Sequence, residues 1–253
     1  MKKLQTLWMQ EYPQAVHEGF IPDNLRVLVM APHPDDFDAI GVTLRFLAEN
    51  NNFLHVAVIR TGSGVDDSYL PDLALAGKAD LREREQKNSA HFFGLPEHKL
   101  TFHSLAKDEQ DHLLGNAENY HELMEIVADK APDIIFLPHG NDTNNGHRVT
   151  CSLVRQVTAR YGRPIVLFLN RDVKTIAMRT DLYTPFGQEM ADWKAELLRF
   201  HDSQQQRNLV TRGHGFDERI LLLNNQIARE LGLDALFAEA FELEFYNVSA
   251  DAK

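Results

Sequence analysis

The sequence predicts an α/β fold: a mostly parallel sheet with helices on both faces. Three observations predict it. Short β-type runs alternate with longer stretches of helical period as far as about residue 170. The β-type runs are apolar almost throughout, as strands covered on both faces are. And 253 residues with 43% hydrophobic content suffice for a substantial core in one domain.

The elements follow in order. Residues 27–31 (VLVMA) form an apolar first strand, and Ile40, Leu44 and Leu47 then share one helical face. A second strand, LHVAVIRT, covers 54–61. A helix over 80–93 is stopped by Gly94, and KLTFHS holds a short third strand. A helix over 118–130 ends at Pro132, and DIIFLPH (133–139) is the fourth strand. A helix over about 148–161 ends near Gly162, before a fifth strand, PIVLFLN, at 164–170. Residues 171–187 show no clear period, and a loop this long is a candidate lid. One helix is expected over 188–206, with Met190, Trp193, Leu197 and Phe200 as a core-packing stripe, and another over 217–231 before Gly232.

Composition narrows the function. Asp and Glu number 37 against 26 Lys and Arg, a formal charge of −11, which disfavours nucleic acid and anionic membranes as partners. The lone cysteine, Cys151, allows no internal disulfide and reads as a packed apolar residue. The start, MKKLQTLWMQEYPQ, has no apolar run after its lysines, and no segment reaches transmembrane length. A cytoplasmic protein is expected.

The first strand runs directly into His33-Pro34-Asp35-Asp36. Ligands of open parallel sheets bind outside the carboxyl ends of the strands. RTGSG after the second strand and PHGNDTNNGH after the fourth reach the same edge. A catalytic zinc takes three protein ligands, commonly His and carboxylate, and leaves a position for water. His33 and Asp36, three apart on a tight turn, can point at one ion, and His147 is the best third ligand. Asp35 then stands beside the ion as a free carboxylate able to take a proton. On four residues alone, a plain turn with Asp35 or Asp38 capping the next helix is the simpler reading. The buried strand before it and the second histidine loop favour the metal. Gly62-Ser63-Gly64 lacks the spacing of a dinucleotide fingerprint.

These residues resemble the PIG-L (LmbE-like) family of zinc-dependent N-deacetylases. APHPDD matches that family's first motif, and Arg82 and Glu85 match its R-x-x-E. His201, Ser203 and Gln204 match H-x-S-Q, and AEAF (238–241) matches the last motif. The resemblance implies a Rossmann-like three-layer sandwich, LmbE-like, as a single domain over 1–253, with 171–253 forming the lid loop and a C-terminal helical and strand extension. It implies one Zn²⁺ per chain on His33, Asp36 and His147, with Asp35 as general base and Arg82 in contact with substrate. It makes the substrate a small N-acetylated amino sugar or its conjugate, and a homo-oligomer plausible. Two positions depart from the pattern: where the family commonly has H-P-D-H, Asn144 replaces the first histidine and Gly146 the acid. Asn144 can donate to an oxyanion but cannot act as an acid. Asp35 or His139 is then left to shuttle the proton, and His214 sits on a loop within conceivable reach. The departure keeps two alternatives open: a metal-dependent sugar binder without turnover, and an amidohydrolase of another N-acyl amine.

Overall fold

The computed structural model describes residues 7, 11–17, 20–60, 64–65, 69–70 and 74–247. Thr61, Gly62 and Ser63 of the second-strand loop lie outside these, as does most of the first ten residues. Among the described residues one sheet has eight strands: β1 (Gln14–Ala15), β2 (Arg26–Ala31), β3 (Phe53–Val58), β4 (Leu100–Phe102), β5 (Ile134–Pro138), β6 (Ile165–Asn170), β7 (Leu182–Phe186) and β8 (Phe237–Tyr246). Their order is β1-β7-β8-β6-β5-β2-β3-β4. The run β6-β5-β2-β3-β4 is parallel throughout. Strand β8 is antiparallel to both β6 and β7, so the sheet is mixed but mostly parallel.

The chain leaves β2 for β3 and β4, then returns to β2's other side for β5 and β6. The strand order therefore reverses between β2 and β5. Loops after those two strands part in opposite directions and leave a crevice at the carboxyl edge. Both faces of the sheet are covered. Val27, Val29 and Ala31 of β2 pack into one core with Leu44 and Leu47 of α1 (Gly41–Glu49) and Ala90 of α2 (Leu75–Phe93). Leu28 and Met30 pack into the other, with Leu123 and Val127 of α3 (Ala117–Lys130) and Val154 and Val157 of α4 (Asn145–Tyr161). Cys151 is fully buried in this second core, as its apolar reading expects. Gly94 and Gly162 close α2 and α4 in the left-handed region, φ +89° and +77°, where glycine carries no Cβ penalty.

Two elements differ from the sequence reading. Residues 182–186, expected within a loop, form β7, and the aperiodic stretch is shorter. Leu182, Thr184 and Phe186 are buried, in alternation with half-buried Tyr183 and Pro185. Pro185 hid the strand, yet it fits. Asp181 and Tyr183 accept from the β1 side, so by alternation the Pro185 nitrogen also points that way, past the end of two-residue β1. The expected single helix over 188–206 is two, α5 (Gln188–Arg199) and α6 (Asp202–Arg212). No proline or glycine marks the break. His201 sits in it, fully buried, and its Nε2 lies 2.7 Å from Asp38 Oδ2. That tertiary contact overrides a local pattern that reads as unbroken helix. α7 (Phe216–Glu230) follows, close to expectation. The apolar stripe on α5 is packing: Leu197 meets Gly41 of α1 so closely that a Cβ there would lie 2.7 Å from Leu197 Cδ2.

Candidate active site

The crevice between β2 and β5 opens into a cleft of about 270 Å³ lined by His33, Asp35, Asp36, Arg82, Asn144 and His147, among others. The six candidates therefore share one wall system, although they come from three separate stretches of sequence.

The turn after β2 is self-bonded. The His33 N–H donates to Asp36 Oδ2 at 2.7 Å, and the Asp36 N–H returns to the His33 carbonyl at 3.3 Å. Asp35 has φ +108°, a region that costs a non-glycine residue on the order of 1–3 kcal/mol. Its neighbours fix it there. Its N–H donates to Gln86 Oε1 at 2.9 Å, and its carbonyl accepts from the Asp38 and Ala39 amides at 3.1 Å each. Arg82 Nη2 stands 3.1 Å from Asp35 Oδ2 and also donates to the Pro34 carbonyl. Burial pushes the Asp35 carboxyl up to about 6, while Arg82 pulls it back down.

The loop after β5 positions His147. Asp142 Oδ2 lies 3.2 Å from His147 Nδ1, which leaves Nε2 facing Asp36 Oδ1 at 3.3 Å. Asp172 Oδ2 is a further carboxylate, 3.9 Å from Nδ1. Burial works against the protonated imidazole, but Asp36 and Asp142 outweigh it and hold His147 up at about 10. This surplus of negative charge is what a bound cation would neutralise. Asn144 caps α4, its Oδ1 accepting from the Gly146 N–H at 2.8 Å. Gly146 packs closely on His33: a Cβ would lie 3.0 Å from its Cε1 and Nε2, so the ring would have to give by a few tenths of an ångström.

His33, Asp36 and His147 each offer one ligand atom, all within 4.8 Å of one another. Two ligands of a tetrahedral ion with bonds of about 2.0–2.1 Å lie roughly 3.3 Å apart, which matches the His147 Nε2 to Asp36 Oδ1 separation of 3.3 Å. The donor set and its spacing fit a small divalent ion. Asp142, His147 and Asp172 form a second possible group that shares His147.

Of the residues given other readings in the sequence, His139 and His214 are outside the cleft lining. His139 Nε2 faces Glu242 at 3.5 Å, and His214 lines an adjoining depression that shares Val173 and Arg219 with the cleft. Arg82 pairs with Asp35 across the fold. Arg82 and Glu85 were read from the sequence; their neighbours Gln86 and Ser89 were not. Arg82, Glu85, Gln86 and Ser89 are all buried and occupy one face of α2. A polar face where an apolar stripe belongs was the available signal. Glu85 accepts from the Ser203 amide and hydroxyl at 2.7 Å each, which explains why R-x-x-E and H-x-S-Q occur in one chain.

A His-Asp-His cradle beside a strained, half-buried carboxylate, at the switch point of a parallel sheet, is a layout suited to metal-assisted hydrolysis. The chain belongs to the GlcNAc-PI de-N-acetylase (PIG-L) family, whose model matches residues 28–158, just over half of it. That makes it a hydrolase of the deacetylase class. Solved structures agree in fold. The N,N'-diacetylchitobiose deacetylase from Pyrococcus horikoshii is 18% identical with a TM-score of 0.73, over 96% of this chain and 90% of that one. The 4-carboxy-2-hydroxymuconate hydratase from Pseudomonas putida is 16% identical with a TM-score of 0.67, over 91% of this chain and 100% of that one. The zinc-inhibited form of teicoplanin deacetylase is 15% identical with a TM-score of 0.64, over 90% of this chain and 100% of that one. At these identities the likeness is one of fold, and a fold hosts more than one chemistry. A search of curated protein sequences finds no match. Among the described residues no helix is long and apolar enough to cross a membrane.

Proposed function

We propose that the protein hydrolyses the acetamide of a small N-acetylated amino sugar or its conjugate, using one divalent ion, Zn²⁺ by donor chemistry, on His33, Asp36 and His147. The observation that carries this is the pairing, in one cleft, of that cradle with a neighbouring carboxylate left off it, Asp35. The ion supplies Lewis-acid polarisation of the amide carbonyl and acidification of water from ~16 to roughly 7.

The chain's own groups supply the rest. Asp35 takes the proton of the attacking water as the C–O bond forms, and its burial favours the protonated form. Arg82 and Gln86 keep its carboxylate and backbone in place. The Oδ1 of Asn144 is committed to the helix cap, which leaves its amide N–H₂ as the donor toward the developing oxyanion. With His139 and His214 outside the cleft lining, Asp35 returns the proton to the departing nitrogen as the C–N bond breaks. Acetate and a free amine leave. Phe216 and Val173 give the cleft an apolar wall against which a sugar ring can lie.

The test is acetate release from N-acetylglucosamine derivatives, with metal content measured beside it. Wild type should hold near-stoichiometric metal and release acetate. His147→Ala should lose both, and Asp35→Ala should lose turnover while keeping the metal. Full activity in Asp35→Ala would remove it from the base role. A wild type that binds these ligands and never releases acetate would be a binding protein.

A further inference from the structure

The proposed chemistry leaves two buried polar residues unused. Asp38 and His201 are both fully buried, and neither lines the cleft. His201 Nε2 lies 2.7 Å from Asp38 Oδ2, across 163 residues of sequence. Facing a carboxylate, that nitrogen carries the proton. The same Oδ2 accepts from Gln86 Nε2 at 2.9 Å, and Gln86 Oε1 accepts from the Asp35 N–H at 2.9 Å. These contacts fix the Gln86 amide one way round. Its nitrogen has two acceptors, Asp38 Oδ2 and Ser89 Oγ, so only Oε1 is left for the Asp35 N–H. The contacts thus run in one order: His201, Asp38, Gln86, Asp35.

Asp35 is the residue that needs such support. At φ +108° its backbone is strained, and a turn that relaxed would carry its carboxylate away from the cradle. Asp38 grips both of its backbone polar groups. The Asp38 N–H donates to the Asp35 carbonyl at 3.1 Å, and the Asp38 carboxylate holds the Asp35 N–H through Gln86. His201 is anchored in turn at the start of α6, where its carbonyl accepts from the Gln204 and Gln205 amides at 2.9 Å each. Two residues on, the Ser203 amide and hydroxyl donate to Glu85, the neighbour of Gln86 on α2. Phe216, which lines the cleft, stands edge-on to the imidazole with ring centres 6.4 Å apart. The imidazole therefore has no surface to offer a substrate.

We infer that His201 is a positioning residue for the proposed base: through Asp38 and Gln86 it holds the Asp35 backbone in the conformation that keeps its carboxylate beside the cradle. That role rests on the deacetylase reading for its catalytic meaning. The break between α5 and α6 then has a use, since it is where the imidazole reaches Asp38.

Four variants of the metal-loaded protein test it. His201→Phe keeps a ring against Phe216 and removes the donor to Asp38. His201→Gln offers an amide nitrogen in place of Nε2. Gln86→Met breaks the next contact, and the fourth variant combines His201→Phe with Gln86→Met. Acetate release from N-acetylglucosamine derivatives gives kcat and KM, and elemental analysis gives metal content. His201→Phe should lower kcat by about tenfold or more, with KM within about twofold and metal content unchanged. His201→Gln should restore kcat to within about threefold of wild type. The combined variant should be at most about twofold slower than the slower single one, because both changes break one series of contacts. An unchanged kcat or lost metal in His201→Phe, no rescue by His201→Gln, or losses that multiply in the combined variant would overturn the role. If His201→Phe does not fold, His201→Phe with Asp38→Asn, which strands no carboxylate, takes its place with the same expectations.

If wild type releases no acetate, the deacetylase reading fails for these sugars, and hydrogen exchange at the Asp35 amide, read by NMR, decides the positioning separately. His201→Phe should speed that exchange by about tenfold or more relative to the Val29 and Phe136 amides of the sheet, and His201→Gln should not. An Asp35 amide unmoved, or moved by the same factor as the sheet, would overturn it.

Discussion

Lys194→Met tests what holds the metal turn in place from behind. Lys194 is fully buried on α5, and its ammonium donates to the Ala39 carbonyl at 2.7 Å, Asn224 Oδ1 at 2.8 Å and Glu239 Oε1 at 2.7 Å. All three of its protons are used. Glu239, on β8, also accepts from the Val42 and Thr43 amides at 3.1 and 2.8 Å and from the Thr43 hydroxyl. Its charge therefore sits on the positive end of α1, the helix that begins just after the metal turn. Breaking a buried pair by removing one partner costs about 3–5 kcal/mol. The lower figure applies, since Glu239 keeps three other donors. At about 2–4 °C per kcal/mol for a chain of this size, the melting midpoint should fall by about 6–12 °C. Denaturant melts should show a lower midpoint at an unchanged slope. Adding Glu239→Gln to Lys194→Met removes the stranded charge and should recover about half of the loss. A single variant that loses less than about 1 kcal/mol, or a double variant no more stable than it, would refute the reasoning.

Two further outcomes follow from the site geometry. Arg82 pulls the Asp35 carboxyl down, so Arg82→Gln should leave Asp35 protonated to higher pH and move the acid limb of kcat/KM upward by about one unit or more; an unmoved limb would separate Arg82 from the base. Gly146→Ala puts a methyl 3.0 Å from the His33 ring, which must retreat, and metal affinity measured against a competing chelator should fall by roughly 10–100-fold with the fold intact; unchanged affinity would mean that His33 is not a ligand.

The parallel half of the sheet was legible because each strand from β2 to β6 is a short apolar run closed by turn chemistry, and local composition is enough to see that. The turn proposed to hold the metal stood out in the sequence because a buried strand has no local use for His-Pro-Asp-Asp. What escaped depends on partners far away in sequence. β7 is a strand because β8 pairs with it, and Pro185 argues against it locally. The break at His201 exists because Asp38, 163 residues earlier, binds that imidazole. The buried polar face of α2 reads as an ordinary charged helix until the Asp35 backbone is seen against it. The AEAF stretch could be matched as a motif without a reason, and the reason is Glu239 on the start of α1 and on Lys194.

The two departures in the second metal loop have a shared explanation in the structure. Read as a string, NDTNNGH has lost a histidine and an acid, which suggests a decayed site. In three dimensions Asn144 caps α4, an interaction worth about 1 kcal/mol, and does so through the Gly146 amide. Gly146 has no side chain at the point where the His33 ring arrives, and His33 is the ligand proposed from the opposite loop. The capping asparagine and the missing Cβ thus let the β2 turn and the α4 start close on each other, while Asp142 aims His147 into the gap. Any side chain at position 146 would place its Cβ 3.0 Å from the His33 ring, which would have to give by a few tenths of an ångström. Asn144 has a use in its own helix start and Gly146 one against the neighbouring loop, so the altered loop is compatible with the proposed metal centre, with an amide donor in place of an acid.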